Sequence, residues 1–261
     1  MMETFQEQKD FFFSHWDTLK SKLENGGSGD VIEYINSFDD DLEKRVLFIF
    51  ARQGLVFQEW EGKNFDAYID IVDAGLEEIK RQAKSAPDDE TKNKRIHGAH
   101  VLSYNLCADL ADCWPGDEKV RNESHFKRGL QAANDCLHLA EKLGNQPRAL
   151  SIDYWGKGMH QLSLGDAPGA VESWEKSFEA ACKDAGLDSP VNELASDHSV
   201  GIVLGMGYIG LAKWKNGNDE GKDKYEQAIT TFKGQMQDEE TKADAEFGID
   251  QLETVRRKYL I

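Results

Sequence analysis

Three stretches carry residue types and spacings that could do chemistry. The first is Gly205-Met-Gly-Tyr-Ile-Gly210, which follows the apolar, β-branched run Ser199-Val-Gly-Ile-Val-Leu204. Glycines at that spacing let a backbone approach a pyrophosphate at a helix start, so the chemistry would be nucleotide binding. The second is Asn216–Gln227, a polar segment with a glycine at Gly221, spaced like a calcium-binding loop. The third is His97, His100 and Cys107, zinc-type donors roughly on one side of a helix.

Each lacks the context its chemistry needs. Only 51 residues follow Gly210, with no second β run ending in an acidic residue and no strand–helix alternation around the motif. Gly207 and Gly210 read instead as close-packing positions of a helix that keeps Leu204, Leu211 and Trp214 apolar. In the second stretch Asn216 and Gln227 stand where a calcium loop wants carboxylates, which makes it a solvated interhelical loop. His97 and His100 have no fourth ligand and no supporting shell, and read as imidazoles packed between helices. His125, His138, His160 and His198 are scattered, and no GxSxG occurs. The expectation is therefore no catalytic residue, no cofactor and no metal.

The elements around these stretches are helices. In Ala149–Gly186 apolar residues fall at Ile152, Trp155, Met159 and Leu162, then at Ala170, Val171, Trp174, Phe178 and Ala181, three and four apart. Gly165 ends the first helix, and Asp166 and Pro168 start the second. Gly158, Gly165, Ala170, Trp174 and Ser177 resemble the small and large signature positions of a tetratricopeptide repeat. Gly62 stands five residues before Ala67 and twelve before Ala74, the relation Gly165 has to Ala170 and Ser177. The small second-helix residues Ala67, Ala133, Ala170 and Ala228 are unevenly spaced, unlike the family period of about 34 residues. The fold expected is all-α: an irregular tetratricopeptide-like right-handed solenoid of antiparallel helical hairpins with a C-terminal capping helix.

Along the chain, residues 3–24 read as a helix burying Phe5, Phe12, Trp16, Leu19 and Leu23. Asn25–Gly29 is a junction, and a short helix covers Asp30–Phe38. Asp39-Asp-Asp41 caps the next helix. Arg45–Trp60 and Phe65–Ala83 form a hairpin turning at Glu61–Asn64, and Thr91–Cys113 is helical. A helix starting at Asn122 or Ser124 buries Phe126, Leu130, Ala133, Leu137 and Ala140. Ser189-Pro190 opens a helix to about Asn216, and Glu239–Tyr259 buries Ala245, Ile249, Leu252 and Val255. The five prolines, Pro87, Pro115, Pro147, Pro168 and Pro190, all fall at helix boundaries in this reading. Residues 1–38 are expected to pack as N-terminal helices on a repeat domain of residues 39–261, in one continuous unit.

The formal net charge of −17 opposes binding to nucleic acid, whose phosphates need Lys and Arg, and docking on anionic membranes. No apolar run approaches the about 20 residues that span a bilayer. The opening residues lack a signal peptide's basic start and apolar stretch. Cys107, Cys113, Cys136 and Cys182 lie in helical patterns and read as reduced, buried thiols, so a cytoplasmic protein is expected.

The resemblance implies a non-enzymatic scaffold that binds a protein or peptide in a groove lined by first-helix side chains. Matched to the repeat, those positions are Arg52, Val56 and Glu59, then Ile152, Trp155, Met159 and Leu162, then Leu204, Gly207, Leu211 and Trp214. Trp155 and Met159 occupy the places of the family's carboxylate-gripping Lys and Asn. An acidic peptide tail therefore fits badly, and a basic or amphipathic-helical partner fits better. Competing readings are a small-ligand sensor or enzyme with a pocket between hairpins, an acidic decoy of a basic nucleic-acid-binding protein, and self-association.

Overall fold

Helix-start and helix-stop chemistry organises the chain throughout. The computed structural model describes residue 2 and residues 4–260. It has ten α-helices, packed mainly against their neighbours in sequence, with no strand among the described residues. The chain divides into two units, residues 1–109 and 110–261, a division that falls at the end of the fourth helix.

The first unit contains α1 (Phe5–Asn36), α2 (Asp41–Leu55), α3 (Phe65–Lys84) and almost all of α4 (Asp89–Leu110). Thr4 and Glu7 form a reciprocal capping box at the start of α1. The expected junction at Asn25–Gly29 is a kink inside α1, where Gly27 takes φ 78°, a value that only glycine adopts without strain. Phe12, Leu19, Leu23, Val31 and Ile35 are buried, but Phe5, expected in that stripe, is 67% exposed. Asp40, the middle of the acidic triplet, caps α2 by accepting from Leu42 N at 2.6 Å. α2 ends at Leu55, five residues earlier than expected. The supposed tight turn is therefore the end of a longer connection, closed by Asn64 capping α3. Asp88 accepts from Thr91 N at 2.6 Å and fixes the start of α4.

The second unit holds α5 (Glu123–Lys142), α6 (Pro147–Ser163), α7 (Ala167–Asp184), α8 (Val200–Lys215), α9 (Glu220–Gln235) and α10 (Lys242–Tyr259). After α6, Gly165 at φ 83° lets Asp166 N reach the Gln161 carbonyl and Gly165 N the Leu162 carbonyl, which satisfies the helix's last acceptors. Gly144, Gly186 and Gly217 end α5, α7 and α8 in the same way. Asp166 then caps α7 by accepting from Gly169 N at 2.9 Å.

From α6 to α9 successive helices run antiparallel. Between α6 and α7, Gln161 meets Ser173, Trp155 meets Trp174, and Ser151 meets Ser177. Between α7 and α8, Phe178 meets Gly205 and Trp174 meets Tyr208; between α8 and α9, Trp214 meets Gly221 and Gly207 meets Ala228. α10 returns across α8 and α9, with Leu252 on Gly207 and Phe232 on Gly248. Trp174, 1% exposed, is the largest side chain of this core, and its indole N–H donates to the Trp155 carbonyl at 3.1 Å.

Two expectations for this unit fail. Pro190 opens no helix: residues 187–199 are irregular apart from turns, and α8 begins at Val200 after Ser199. In α5 the inward face is His125, Gly129, Ala132, Ala133, Cys136, Leu139 and Ala140, about one position round from the expected stripe. Small residues define that face, because the His160 ring needs the space a larger residue at Gly129 would fill.

Candidate binding surface

The first unit holds Arg52, Val56 and Glu59; the second holds Trp155, Met159, Leu162, Gly207, Leu211 and Trp214. Arg52, near the end of α2, is already engaged. Its Nε and Nη2 donate to the two carboxylate oxygens of Asp109 at 2.6 and 2.7 Å, and its guanidinium lies over the Phe57 ring at 4.6 Å. The Tyr68 hydroxyl donates to the same carboxylate at 2.8 Å. Burial alone would lower the Arg52 pKa, but the hydrogen-bonded carboxylate outweighs it and holds the value above the ordinary one. Burial, with the Asp109 charge added, raises the Tyr68 pKa well above the usual tyrosine value. This bidentate pair holds α2, α3 and the end of α4 together. In this arrangement the Arg52 guanidinium is engaged within its own unit, with its side chain 25% exposed. Val56 is half-buried just past α2, and Glu59 is exposed and paired with Lys63 at 2.9 Å.

In the second unit the expected groove residues separate into two groups. Met159, Leu162, Gly207 and Leu211 are core: each is buried, and Met159, Leu162 and Leu211 belong to the cluster built around Trp174. No partner could touch them without unpacking α6 and α8. A helix fully covered by neighbours on both sides is apolar on most of its circumference, and α8 is such a helix, which is why its sequence looked like a lining. Trp155 and Trp214 remain half-buried, and Ile152, one turn before Trp155, is 36% exposed.

Trp155 belongs to a surface that sequence order hides. The Trp114 ring lies 5.7 Å from the Trp155 ring and 6.4 Å from the Phe247 ring on α10. Phe247 is 42% exposed. The row Ile152, Trp155, Trp114, Phe247 therefore draws on α6, the segment before α5, and α10. Asp244 and Asp250 stand three residues either side of Phe247 on α10, and Glu246 is adjacent; all three are exposed, and none has a cationic partner among the described residues. The segment bearing Trp114 is anchored by charge. Lys258 donates to Asp112, and the buried Arg121 reaches Asp112 at 3.6 Å and Asp117 at 2.7 Å. Gln251 donates to the Cys113 sulfur at 3.7 Å. These contacts fix one edge of the aromatic row on α10.

The chemistry-bearing stretches resolve as packing. A methyl group at Gly205 would sit 3.0 Å from the Phe178 ring, at Gly207 2.5 Å from Leu252, and at Gly210 2.6 Å from the backbone nitrogen of Tyr225. The three glycines are buried mid-helix, away from any helix N-terminus that could meet a phosphate. Residues 220–227 are the first turns of α9 and not a loop, with Gly221 pressed against the Gly210 carbonyl at a methyl distance of 2.5 Å. His97 faces solvent while His100 and Cys107 are buried, so the three do not converge. The four cysteines are buried and form no disulfide with one another, and burial pushes the Cys113 thiol up to about 12, removing it as a nucleophile near neutral pH. No described helix is long and apolar enough to cross a membrane.

Sequence reasoning missed Trp114 and Phe247. An aromatic flanked by acids at three-residue spacing on α10 was the available signal. No protein-family model matches the chain, and neither a curated protein nor a solved structure does.

Proposed function

We propose that the protein is a non-enzymatic scaffold of tetratricopeptide-like helical hairpins, and that its second unit binds a basic amphipathic helix of another protein. The observation carrying this reading is the aromatic row Trp155–Trp114–Phe247 with free carboxylates along its α10 edge. Aromatic side chains supply large contact area at little entropic cost, which suits them to be anchors. The unpaired carboxylates Asp244, Glu246 and Asp250 complement Lys or Arg on the polar flank of an amphipathic helix, and they disfavour an acidic partner. The overall charge of −17 adds long-range attraction for the same class of partner.

The test is fluorescence anisotropy with a labelled model helix of leucine and lysine, against a leucine and glutamate helix of equal length. The lysine helix should bind saturably and more weakly as salt rises. Phe247→Ala should cost about 2 kcal/mol, roughly thirtyfold in Kd, the loss typical of an interface anchor. Asp250→Lys should weaken binding severalfold, while Asp184→Lys, the same charge change at the exposed end of α7, should leave it within about twofold. Equal losses at Asp250 and Asp184 would mean non-specific attraction and overturn the reading. So would concentration-dependent self-association that Phe247→Ala abolishes, since it would assign the surface to a second copy of the chain.

A further inference from the structure

A separate opening lies between α7, α8, α9 and the irregular segment that follows α7. It is a cleft of about 530 Å³, floored by Phe178, Met206 and Ile209, with Pro190 and Val191 at its lip. That volume falls in the range of small-molecule sites, about 300–1,000 Å³, which combine apolar walls with a few convergent polar groups. Here the polar groups are of both signs, carboxylates on α7 and ammonium groups on α7, α8 and α9.

Most of those charges are already engaged. Glu175 pairs with Lys213 at 2.9 Å, Glu179 pairs with Lys183 at 2.7 Å, and Lys176 lies over the Tyr154 ring at 5.5 Å. Two are not. Glu172 on α7 has no cation within ion-pair distance among the described residues. Lys224 on α9 is half-buried, and its ammonium has only the Met206 thioether at 3.6 Å, a weak acceptor. An unpaired carboxylate and an unpaired ammonium thus line one cleft over an apolar floor, too far apart to satisfy each other.

We infer that this cleft binds a small zwitterion with an apolar body, of amino-acid or dipeptide size. Its ammonium would pair with Glu172, its carboxylate with Lys224, and its apolar side chain would lie against Pro190 and Val191, above the nearly closed floor of Met206 and Ile209. Matching both charges at once selects for the dipolar ligand, because a blocked end leaves one protein charge facing an apolar or neutral group. This site stands apart from the aromatic row and does not depend on it.

The experiment is an NMR titration of the whole chain labelled at methionine methyls, using L-leucyl-L-phenylalanine as probe. The Met206 methyl should shift saturably. The N-acetyl and C-amide derivatives should each bind at least about tenfold more weakly, a difference of about 1.4 kcal/mol. Glu172→Gln should remove the preference for a free amino end only, and Lys224→Gln the preference for a free carboxylate only. The spectra of both variants away from the cleft report that the fold is intact. No saturable Met206 shift in the millimolar range, or equal binding of free and blocked dipeptides, would overturn the inference.

Discussion

Gly221→Ala offers a sharp test of the packing account, because two effects of known sign oppose each other there. In an ordinary helix the substitution favours folding by about 1 kcal/mol, since alanine loses less backbone freedom than glycine. At Gly221 the new methyl would meet three backbone atoms: Trp214 N at 2.3 Å, the Gly210 carbonyl oxygen at 2.5 Å and Lys213 C at 2.8 Å. Backbone cannot rotate aside as a side chain can, so α8 and α9 must move apart by about an ångström. That movement loosens Ile209, Leu211 and Tyr225 as well. Overpacking costs about 1–3 kcal/mol, and contact with backbone places this case at the upper end. Net of the propensity gain, a loss of about 2 kcal/mol is expected, or a fall of about 1 M in the urea midpoint for a slope near 2 kcal/mol/M. Tryptophan fluorescence is a suited probe, since four of the six tryptophans lie in the second unit. The control is Gly234→Ala, in α9 with nothing within 4 Å of the new methyl, which should stabilise by up to about 1 kcal/mol. A Gly221→Ala protein as stable as the parent would refute the close approach of α8 and α9.

Three further outcomes follow from the same physics. Arg52→Met removes the guanidinium that pairs bidentately with the Asp109 carboxylate, 7% exposed, and should cost about 3–5 kcal/mol in urea unfolding of the first unit. Restoring charge with Arg52→Lys should recover only part of that, because an ammonium cannot reproduce the two parallel hydrogen bonds. For Cys113, burial raises the thiol from 9.0 to about 12, so the folded chain holds a proton there that the unfolded chain releases. The stabilisation is full below about pH 9 and is lost as pH rises toward 12. Cys113→Ala should flatten that part of the stability–pH curve, whereas an unchanged slope would show that the buried thiol contributes nothing to it. All four thiols should resist a disulfide-exchange reagent at pH 8 until denaturant is added, and a fast-reacting thiol in the native chain would contradict their burial.

The helices were readable because their ends are local chemistry. Asp166 caps α7 as its side chain suggested, Asp40 of the acidic triplet caps α2, Asn122, one of two candidates, caps α5, and Gly144, Gly165 and Gly186 close helices at positive φ. Pro190 misled because proline is equally at home in an irregular segment, and nothing local distinguishes the two. The stripe of α5 was misread because glycine, alanine and cysteine form its inner face, and these carry little hydrophobic signal. The surface was harder still. Periodicity states that Trp155 and Met159 lie toward one side of α6, but which of them is covered depends on helices far along the chain. Trp114 and Phe247 lie 133 residues apart and meet only because α10 folds back onto the segment before α5. The glycines of α8 were legible as packing positions once their nucleotide-binding context was found missing; their partners on α7, α9 and α10 were not.

The most direct test of the proposed function is to map where a basic amphipathic helix binds, using amide and indole NMR signals of the whole chain during titration with the leucine–lysine helix. The account predicts saturable shifts concentrated at the indole N–H signals of Trp114 and Trp155 and at amides flanking Phe247. Little change is expected at Trp174, whose buried indole is committed to the Trp155 carbonyl. Binding that leaves the Trp114, Trp155 and Phe247 signals unmoved, or that perturbs every acidic helix alike, would contradict it.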